Sequence, residues 1–377
     1  MVQFWKRFRN GGNPRPLSPK IHPVPVPRLL VRKGISIRMN AGKQKIDLRD
    51  VARLAGVSLG SASRAMNGAG ASAATQEKVN QAAAALGYRP NHAARVLRSR
   101  LSRTVGCLLP DISNPLYAQV FRALEDEFLR HDYLLLLANG ANDVDRETKA
   151  LGTFTQRGMD GVILAPGNER NAALVEALRV LPMPAVVFDR EVSGAHDAVL
   201  IDHAGGVRRV VEHLLGLGHR DIALVLWQGD TRPVRRRVQG FRTAFQAAGL
   251  PVPDLLVQAR SVTASVKAEV TELLARPERP TALIVQGTHM LNSALRAIAA
   301  RGLQVPRDIS VVAIGDTPFA AEHDPAVSVL DIDQSETARC LVDLLLTRIA
   351  DNGLPQRKAR VGLRYVERDS VARPASA

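Results

Sequence analysis

The sequence predicts a small all-α region, a helix-turn-helix of three helices, followed by a two-lobed α/β region. Residues 46–67 fit two short helices joined by a tight turn. From residue 101 onwards, short apolar runs alternate with helical patterns, as in doubly wound parallel sheets. The formal net charge of +15 arises entirely before residue 101, which indicates different partners for the two regions.

The first predicted helix begins after Asp47, whose carboxylate can cap it. Its apolar positions fall on one stripe at helical spacing: Leu48, Val51, Ala52, Leu54 and Ala55. Gly56 ends the helix, because glycine most easily adopts the left-handed conformation that the turn needs. Val57 then fills the angle between the helices, and Ser58 caps the second helix.

The second predicted helix runs to about Met66 and turns Ala62, Ala65 and Met66 inward. Its outward N-terminal part is then free to enter a DNA major groove. The candidate groove residues are Ser58, Leu59, Gly60, Ser61, Ser63, Arg64 and Asn67. A third helix is predicted over residues 75–86 and stops at Gly87. The same pattern also fits a small helical hairpin that packs against another part of the protein.

The charge distribution favours DNA binding. Residues 1–38 hold nine Lys and Arg without an acidic residue, and residues 39–100 hold ten against three. Residues 101–377 are nearly neutral, with 32 basic and 33 acidic residues. A basic excess confined to one region is what neutralisation of DNA phosphates requires. We therefore expect double-stranded DNA as a partner of the helical region.

The segment that follows the third helix contains Tyr88-x-Pro-Asn and ends near Ser99. Together with the preceding helices, it resembles the LacI-type (lactose and purine repressor) family of bacterial transcription regulators, over about residues 46–371. The resemblance implies a helix-turn-helix DNA-binding domain, a hinge helix, an effector-binding and dimerisation domain and a tail, at residues 46–90, 91–100, 101–371 and 372–377.

In that family, the hinge helix forms on operator DNA, pairs with its dimer mate and inserts a Leu into the minor groove. The residues carried over to this chain are Asn91, Ala94, Arg95, Leu97 and Arg98. Pro90 prevents the helix from starting earlier, an apolar wedge can unstack a base step, and arginines can hold the kinked phosphates. Residues 91–99 also fit an ordinary linker.

The α/β region should form two lobes, since it exceeds one comfortable hydrophobic core. Strands are predicted at 104–109, 133–138, 161–165, 185–188, 198–201, 222–226, 282–285 and 309–314, and helices at 116–130, 205–217, 237–248, 262–274, 290–301 and 336–350. The order resembles that of periplasmic sugar-binding proteins, whose chain crosses three times between lobes. The resemblance places one lobe at about 101–201 with a returning helix, the other at about 204–330, and crossings near 201–203, near 330–333 and at or beyond 230–237.

Residues just after the predicted strands are candidates for a ligand site, because open α/β sheets bind ligands at the carboxyl ends of their strands. The candidates are Asp111, Tyr117, Asp189, Trp227, Arg237, Arg260, Thr288 and Asp331. The family resemblance assigns effector contacts most directly to Arg237 and Asp189. Arginine and aspartate suit a sugar or a sugar acid. The alternative is that these charges form salt bridges across the lobe interface.

Several positions depart from the family pattern. Thr288 stands where relatives carry an aspartate that holds a ligand hydroxyl, and Arg260 where several carry a stacking aromatic. These departures suggest unusual pocket chemistry, including an anionic ligand. On the reading helix, Leu59 and Gly60 replace a larger polar pair, which shifts DNA readout towards Arg64 and DNA shape.

Residues 1–45 are basic and proline-rich, which predicts a disordered extension, and Met39 is the expected true start. No apolar run is long enough to cross a bilayer, so we expect a cytoplasmic protein. Two cysteines and the histidine spacing indicate neither a disulfide framework nor a metal site, and no cofactor is expected.

No nucleotide-binding loop or nucleophile elbow is present, so the sequence does not favour an enzyme. The expected function is a homodimeric, operator-binding regulator, most simply a repressor, controlled by a small molecule between the lobes. The alternative is a solute-receptor-like protein with only nonspecific DNA affinity.

Overall fold

The computed structural model describes residues 46–66, 70–88, 101–194, 196–260 and 264–375. The chain separates into two compact units. The first contains the helices α1 (Leu48–Ala55), α2 (Leu59–Met66) and α3 (Ala73–Leu86), and the second contains every element from residue 101 onwards. The predicted extension 1–45, the candidate groove residue Asn67 and the predicted hinge 91–100 lie outside the described residues.

Side-chain caps define the helix ends of the first unit, as the sequence predicts. The Asp47 carboxylate accepts from the Arg49 and Asp50 amides at 2.7 and 3.3 Å, and the Asp50 carboxylate accepts from the Asp47 amide at 3.0 Å. Gly56 ends α1 in the left-handed conformation, with φ of 66°. Ser58 Oγ accepts from the Ser61 amide at 3.1 Å at the start of α2.

The first unit has a small core of short side chains around Val51, Ala62 and Val79, each fully buried. The prediction for Leu54 was wrong, since this side chain is 55% exposed and lies off the buried stripe of α1. Helix α3 starts two residues before its predicted start, because Ser72 Oγ accepts from the Thr75 amide at 3.3 Å and caps the helix there. Alanines at the core allow close helix packing, which leaves the polar faces outside.

The second unit is built on two six-stranded sheets. Lobe 1 has the strand order β11-β5-β4-β3-β1-β2, with every neighbouring pair parallel. Its strands are β1 (Thr104–Leu109), β2 (Leu134–Asn139), β3 (Gly161–Leu164), β4 (Ala185–Phe188), β5 (Asp197–Ile201) and β11 (Lys358–Val361). Its helices are α4 (Pro115–Arg130), α5 (Val144–Gln156), α6 (Ala172–Arg179) and the returning α12 (Gln334–Ala350), which packs on α4.

Lobe 2 has the strand order β12-β10-β9-β8-β6-β7, in which only the edge strand β12 is antiparallel to its neighbour. Its strands are β6 (Ile222–Trp227), β7 (Leu256–Ala259), β8 (Ala282–Gln286), β9 (Ser310–Ile314), β10 (Ser328–Ile332) and β12 (Leu363–Val366). Its helices are α7 (His203–Leu217), α8 (Arg232–Ala247), α9 (Lys267–Leu273), α10 (Gly287–Ala300) and α11 (Pro318–Ala321). The central strands are buried on both faces, as parallel sheets require.

The described chain passes between the lobes three times. Two crossings lie where predicted, between β5 and α7 and between β10 and α12. The third lies at Gly362, between β11 of lobe 1 and β12 of lobe 2, and the stretch 230–237 stays within lobe 2. Both of these last strands are only four residues long, which is why the sequence did not reveal them.

Further elements differ from the prediction. Helix α8 begins at Arg232 instead of residue 237, because Pro233 occupies the first turn, where a missing amide donor costs no helical hydrogen bond. Strands β7 and β10 were not predicted. In the described parts of the chain, no helix is long and apolar enough to span a membrane.

Candidate ligand-binding cavity

A narrow cavity lies between the two lobes, at the carboxyl ends of β1, β4, β6 and β8. Five of the predicted effector residues line it: Asp111, Tyr117, Asp189, Trp227 and Arg237. The cavity also contacts Asn142, Arg190, His203 and Gln286. Strand ends of both lobes therefore converge on one site, as expected for an open α/β sheet.

Asp189 organises the lobe 1 wall of the cavity. It follows β4 with a φ of 52°, a left-handed conformation that aspartate tolerates better than most residues. Its Oδ1 accepts from the Ile201 amide at 3.2 Å and from Arg232 Nη1 at 2.7 Å, and its Oδ2 lies 2.7 Å from His203 Nε2. Burial opposes ionisation, but these contacts outweigh it and hold the pKa of Asp189 below its usual value.

His203, at the start of α7, is buried, and burial lowers its pKa despite the nearby Asp189. The neutral imidazole therefore donates from Nε2 to Asp189, which leaves Nδ1 as an acceptor. That Nδ1 is buried and has no hydrogen-bond partner. An acceptor of this kind suits a hydroxyl group.

Arg190 is buried beside Asp189 and uses all three of its side-chain nitrogens. Nε donates to the Pro166 carbonyl at 2.7 Å, Nη1 to the Asp189 carbonyl at 2.9 Å and Nη2 to the Tyr117 hydroxyl at 3.0 Å. Because the Tyr117 hydroxyl accepts this bond, its own proton remains available for donation towards the cavity.

Helix α8 brings two buried arginines to the cavity from lobe 2. Arg232 donates from Nη1 to Asp189 and, at 2.9 Å, to the Ile201 carbonyl, which joins α8 to lobe 1. Arg237 lies five residues further along, is only 6% exposed, and makes no hydrogen bond within the described chain. Burial lowers the pKa of Arg237 to about 10, and the charge of Asp189 offsets this effect only in part.

The rim of the cavity carries ion pairs between the lobes. Arg170 lies 2.6 Å from Asp230, Arg235 lies 2.7 Å from Glu169, and Arg236 lies 2.8 Å from Glu191. Glu169 is completely buried, whereas the other members of these pairs are partly exposed. These pairs connect the start of α8 to the loops after β3 and β4.

Three predicted effector residues do not line the cavity. Arg260 is exposed at the end of β7, and Thr288 contacts the Thr317 hydroxyl at 3.4 Å. Asp331 lies in a separate open groove and pairs with Arg364 at 3.4 Å. Burial and the neighbouring Asp316 raise the pKa of Asp331. Arg260 follows β7, Thr288 lies in the first turn of α10, and Asp331 lies within β10.

Sequence reasoning did not identify Arg232 or His203 as site residues. Their position in the sequence could have identified them. His203 begins the helix that follows β5, and Arg232 begins the helix that follows β6. Asp189 forms a salt bridge between the lobes with Arg232, which is the alternative considered for these charges, and protein donors occupy both of its oxygens. Among the described residues, no cluster of side chains has the composition of a metal site.

The first unit presents a separate candidate surface on α2. Ser58, Leu59, Gly60 and Arg64 are exposed, and Leu59 is 46% exposed despite its apolar side chain. Ser61 and Ser63 are half-buried at the edge of this face. Arg64 Nη2 donates to Ser61 Oγ at 3.3 Å, which orients the guanidinium along the helix.

A segment of each unit matches a known protein family. Residues 47–91 match the bacterial regulatory proteins of the lacI family, and residues 211–371 match the periplasmic binding protein-like domain. The HTH-type transcriptional regulator DegA of Bacillus subtilis (strain 168) is 32% identical over 292 residues, which cover 76% of this chain and 86% of DegA.

Two solved structures are similar over most of this chain. The Lac repressor dimer bound to operator and the anti-inducer ONPF has a TM-score of 0.77 at 25% identity, over 87% of this chain and 100% of that one. The complex of the transcriptional regulator CelR with cellobiose has a TM-score of 0.66 at 28% identity, over 86% of this chain and 99% of that one. The two matched segments and the likeness to DegA over most of its length show that this chain belongs to the LacI family of bacterial regulatory proteins.

Proposed function

We propose that this chain is a cytoplasmic transcriptional repressor that binds a near-palindromic operator as a homodimer and responds to a small molecule between its lobes. The observation that carries the proposal is the exposed N-terminal face of α2, fixed by the caps at Gly56 and Ser58. Membership in a family of bacterial regulatory proteins supports the same conclusion. The relatives are named as regulators and not as enzymes, so the chain acts by binding.

The residues proposed to contact the major groove are Ser58, Leu59, Gly60, Ser61, Ser63, Arg64 and Asn67. Arg64 is the donor suited to a guanine edge, and Leu59 provides an apolar surface for a thymine methyl group. The residues proposed to contact the minor groove are Asn91, Ala94, Arg95, Leu97 and Arg98. In this proposal, Leu97 enters the groove at the operator centre.

The edge of lobe 1 is the proposed interface with a second copy of the chain. Strand β2 ends the sheet, and its leucines Leu134, Leu136 and Leu137 are 52%, 39% and 38% exposed. Leu129, on the adjoining α4, is 59% exposed. Several exposed leucines along one sheet edge indicate an interface. Dimerisation here places two α2 helices on one operator, as the operator-bound dimer of the related Lac repressor illustrates.

The effector, a sugar or sugar acid, binds the cavity through Asp111, Tyr117, Trp227 and Arg237, with Asp189 holding the wall. The related CelR structure contains cellobiose. A ligand that contacts strand ends of both lobes favours one angle between them, and that preference shifts the equilibrium between two operator affinities. Arg260, Thr288 and Asp331 are not part of this proposal, because they lie outside the cavity lining.

The test is selection of operator sequences from random double-stranded DNA with the full chain at moderate salt. Enrichment of a near-palindrome supports the proposal, and Arg64→Ala should change the bases selected while retaining affinity for DNA phosphates. Lys78→Ala is the matched control, since Lys78 is an exposed basic residue on α3 and not on α2. DNA retention without sequence preference would contradict the repressor proposal and favour a receptor-like protein with nonspecific DNA affinity.

A further inference from the structure

The N-terminus of α8 is completed by a side chain of the opposite lobe. The residue before the helix, Thr231, makes no side-chain hydrogen bond to the first turn. Instead, the amide of Arg232 donates to Oε1 of Glu169 at 2.7 Å, and Glu169 lies in lobe 1, in the loop between β3 and α6. This carboxylate satisfies a backbone donor that the helix leaves unpaired, and its charge suits the positive end of the helix dipole.

Other helices of the second unit are capped locally. In five of them, a side chain of the residue immediately before the helix accepts from an amide of the first turn; these residues are Asn114, Asp143, Asn171, Asp202 and Asp333. The residues before α9, α10 and α11 make no such bond. Among the helices that the structure describes, only α8 receives its cap from the other lobe.

Glu169 is completely buried, and both of its oxygens are occupied. Oε1 also accepts from Arg235 Nη2 at 2.7 Å, and Oε2 accepts from the amide of Glu191, in the loop after β4, at 2.6 Å. One carboxylate therefore joins the start of α8 to two loops of lobe 1. Withdrawal of α8 would leave a buried charge without its cation, which is unfavourable.

The neighbouring Arg170 connects the same two segments with the opposite charge. Its Nη1 donates to Asp230 Oδ2 at 2.6 Å, and Arg235 Nη1 donates to Asp230 Oδ1 at 2.9 Å. The charges of this ring alternate in sign, and the ring closes through the peptide bond between residues 169 and 170. Arg170 and Asp230 are more than half exposed, so their pair contributes little alone, and the buried Glu169 is the central member.

The first turn of α8 also forms part of the cavity wall. Thr231, Pro233 and Val234 line the cavity, and they lie within two residues of the amide that Glu169 binds. A relative movement of the lobes that breaks this hydrogen bond would leave the first turn without its cap, and helix ends without caps fray. The order of this wall therefore depends on the arrangement of the lobes.

We propose that Glu169 is a positioning residue that couples the arrangement of the two lobes to the order of the first turn of α8. In the arrangement described here, the carboxylate caps the helix and the cavity wall is formed. When the lobes move apart, the cap is lost and the turn frays. Such an element has two states, which both the lobe angle and a ligand in the cavity bias. Its link to operator affinity rests on the proposed function, whereas the coupling within the second unit does not.

The first experiment is hydrogen–deuterium exchange of the full chain, followed by mass spectrometry. Glu169→Ala removes the cap and should speed exchange of the amides at residues 232–235 roughly tenfold. Glu169→Gln keeps an acceptor oxygen without the charge, so its effect should be smaller and in the same direction. Glu176→Ala is the matched control and should leave exchange in α8 unchanged, since Glu176 is an exposed glutamate of lobe 1 that pairs with Arg179 on its own helix.

The separation of the lobes is measured in the same variants as the distance between two nitroxide labels, by electron paramagnetic resonance. The labels are attached at Ala173→Cys on α6 of lobe 1 and at Thr243→Cys on α8 of lobe 2, which are both exposed positions. Cys340→Ser removes the partly exposed native thiol, and Cys107 is buried. Because coupling is reciprocal, Glu169→Ala should lengthen or broaden the distribution of distances.

A local cap separates coupling from ordinary capping. Thr231→Asn, added to Glu169→Ala, offers the first turn of α8 an acceptor from its own lobe. Exchange at residues 232–235 should then return towards the parent value, while the distance between the labels stays altered. Unchanged exchange in Glu169→Ala, an unchanged distance, or recovery of both in the double variant would each overturn the coupling. Neither readout needs DNA, so operator selection judges the proposed function separately.

Discussion

The first turns of α8 place arginines in two contrasting environments. Arg232, Arg235 and Arg236 reach across to carboxylates of lobe 1, so their charges hold the two lobes together. Arg237 immediately follows them in sequence but faces the cavity without a partner. The contrast shows that a charge paired within the protein joins the two lobes, whereas an unpaired buried charge is available to a ligand.

The largest expected effect on stability comes from removing Arg232, which is paired within the protein. Arg232→Met leaves Asp189 buried without its arginine and should lower the free energy of unfolding by about 3–5 kcal/mol. Urea unfolding followed by circular dichroism measures the change. The double variant Arg232→Met with Asp189→Asn should recover part of the loss, because it leaves no uncompensated charge. A single variant as stable as the parent would show that the pair contributes nothing.

A smaller effect on stability is expected from removing the unpaired Arg237 in the absence of ligand. Arg237→Met removes a buried cation that has no partner, so the free energy of unfolding should rise by roughly 1 kcal/mol. Urea unfolding of the ligand-free protein measures it, and Arg242→Met provides the exposed control on the same helix. A loss as large as that of Arg232→Met would mean that Arg237 has a structural partner.

The smallest effect is expected at the rim. Glu191→Gln weakens the pairs with Arg235 and Arg236, which are partly exposed, and should cost less than about 1 kcal/mol of stability. The difference from the parent should disappear in about 1 M salt, where charges are screened within roughly 3 Å. A difference that persists at high salt would show that these pairs are shielded from salt, as the buried pair of Arg232 and Asp189 is.

Local features of the fold could be predicted from the sequence. Asp47, Gly56 and Ser58 act on backbone groups within three residues, so their capping roles follow from residue type and spacing alone. Most central strands were also predicted within a residue or two, because strands buried on both faces are continuous apolar runs.

Features that depend on distant partners could not be predicted in the same way. Asp189 pairs with Arg232, 43 positions later in the chain, and only the folded arrangement shows that this pair leaves Arg237 unoccupied. The edge strand β11 begins with Lys358 and gains its place by pairing with β5, not from an apolar pattern. Arg237, which lies within α8, was singled out mainly by the family resemblance, and position after a strand did not exclude Arg260, because side-chain direction depends on packing.

The crossing at Gly362 has a consequence for how such proteins diversify by recombination. Because β11 and β12 are adjacent in sequence but belong to different lobes, each lobe is assembled from separate segments of the chain. A single exchange between two genes can therefore transfer the entire helical unit α1–α3 to another ligand-binding unit. A single exchange within the second unit would instead divide at least one lobe between two parent sequences.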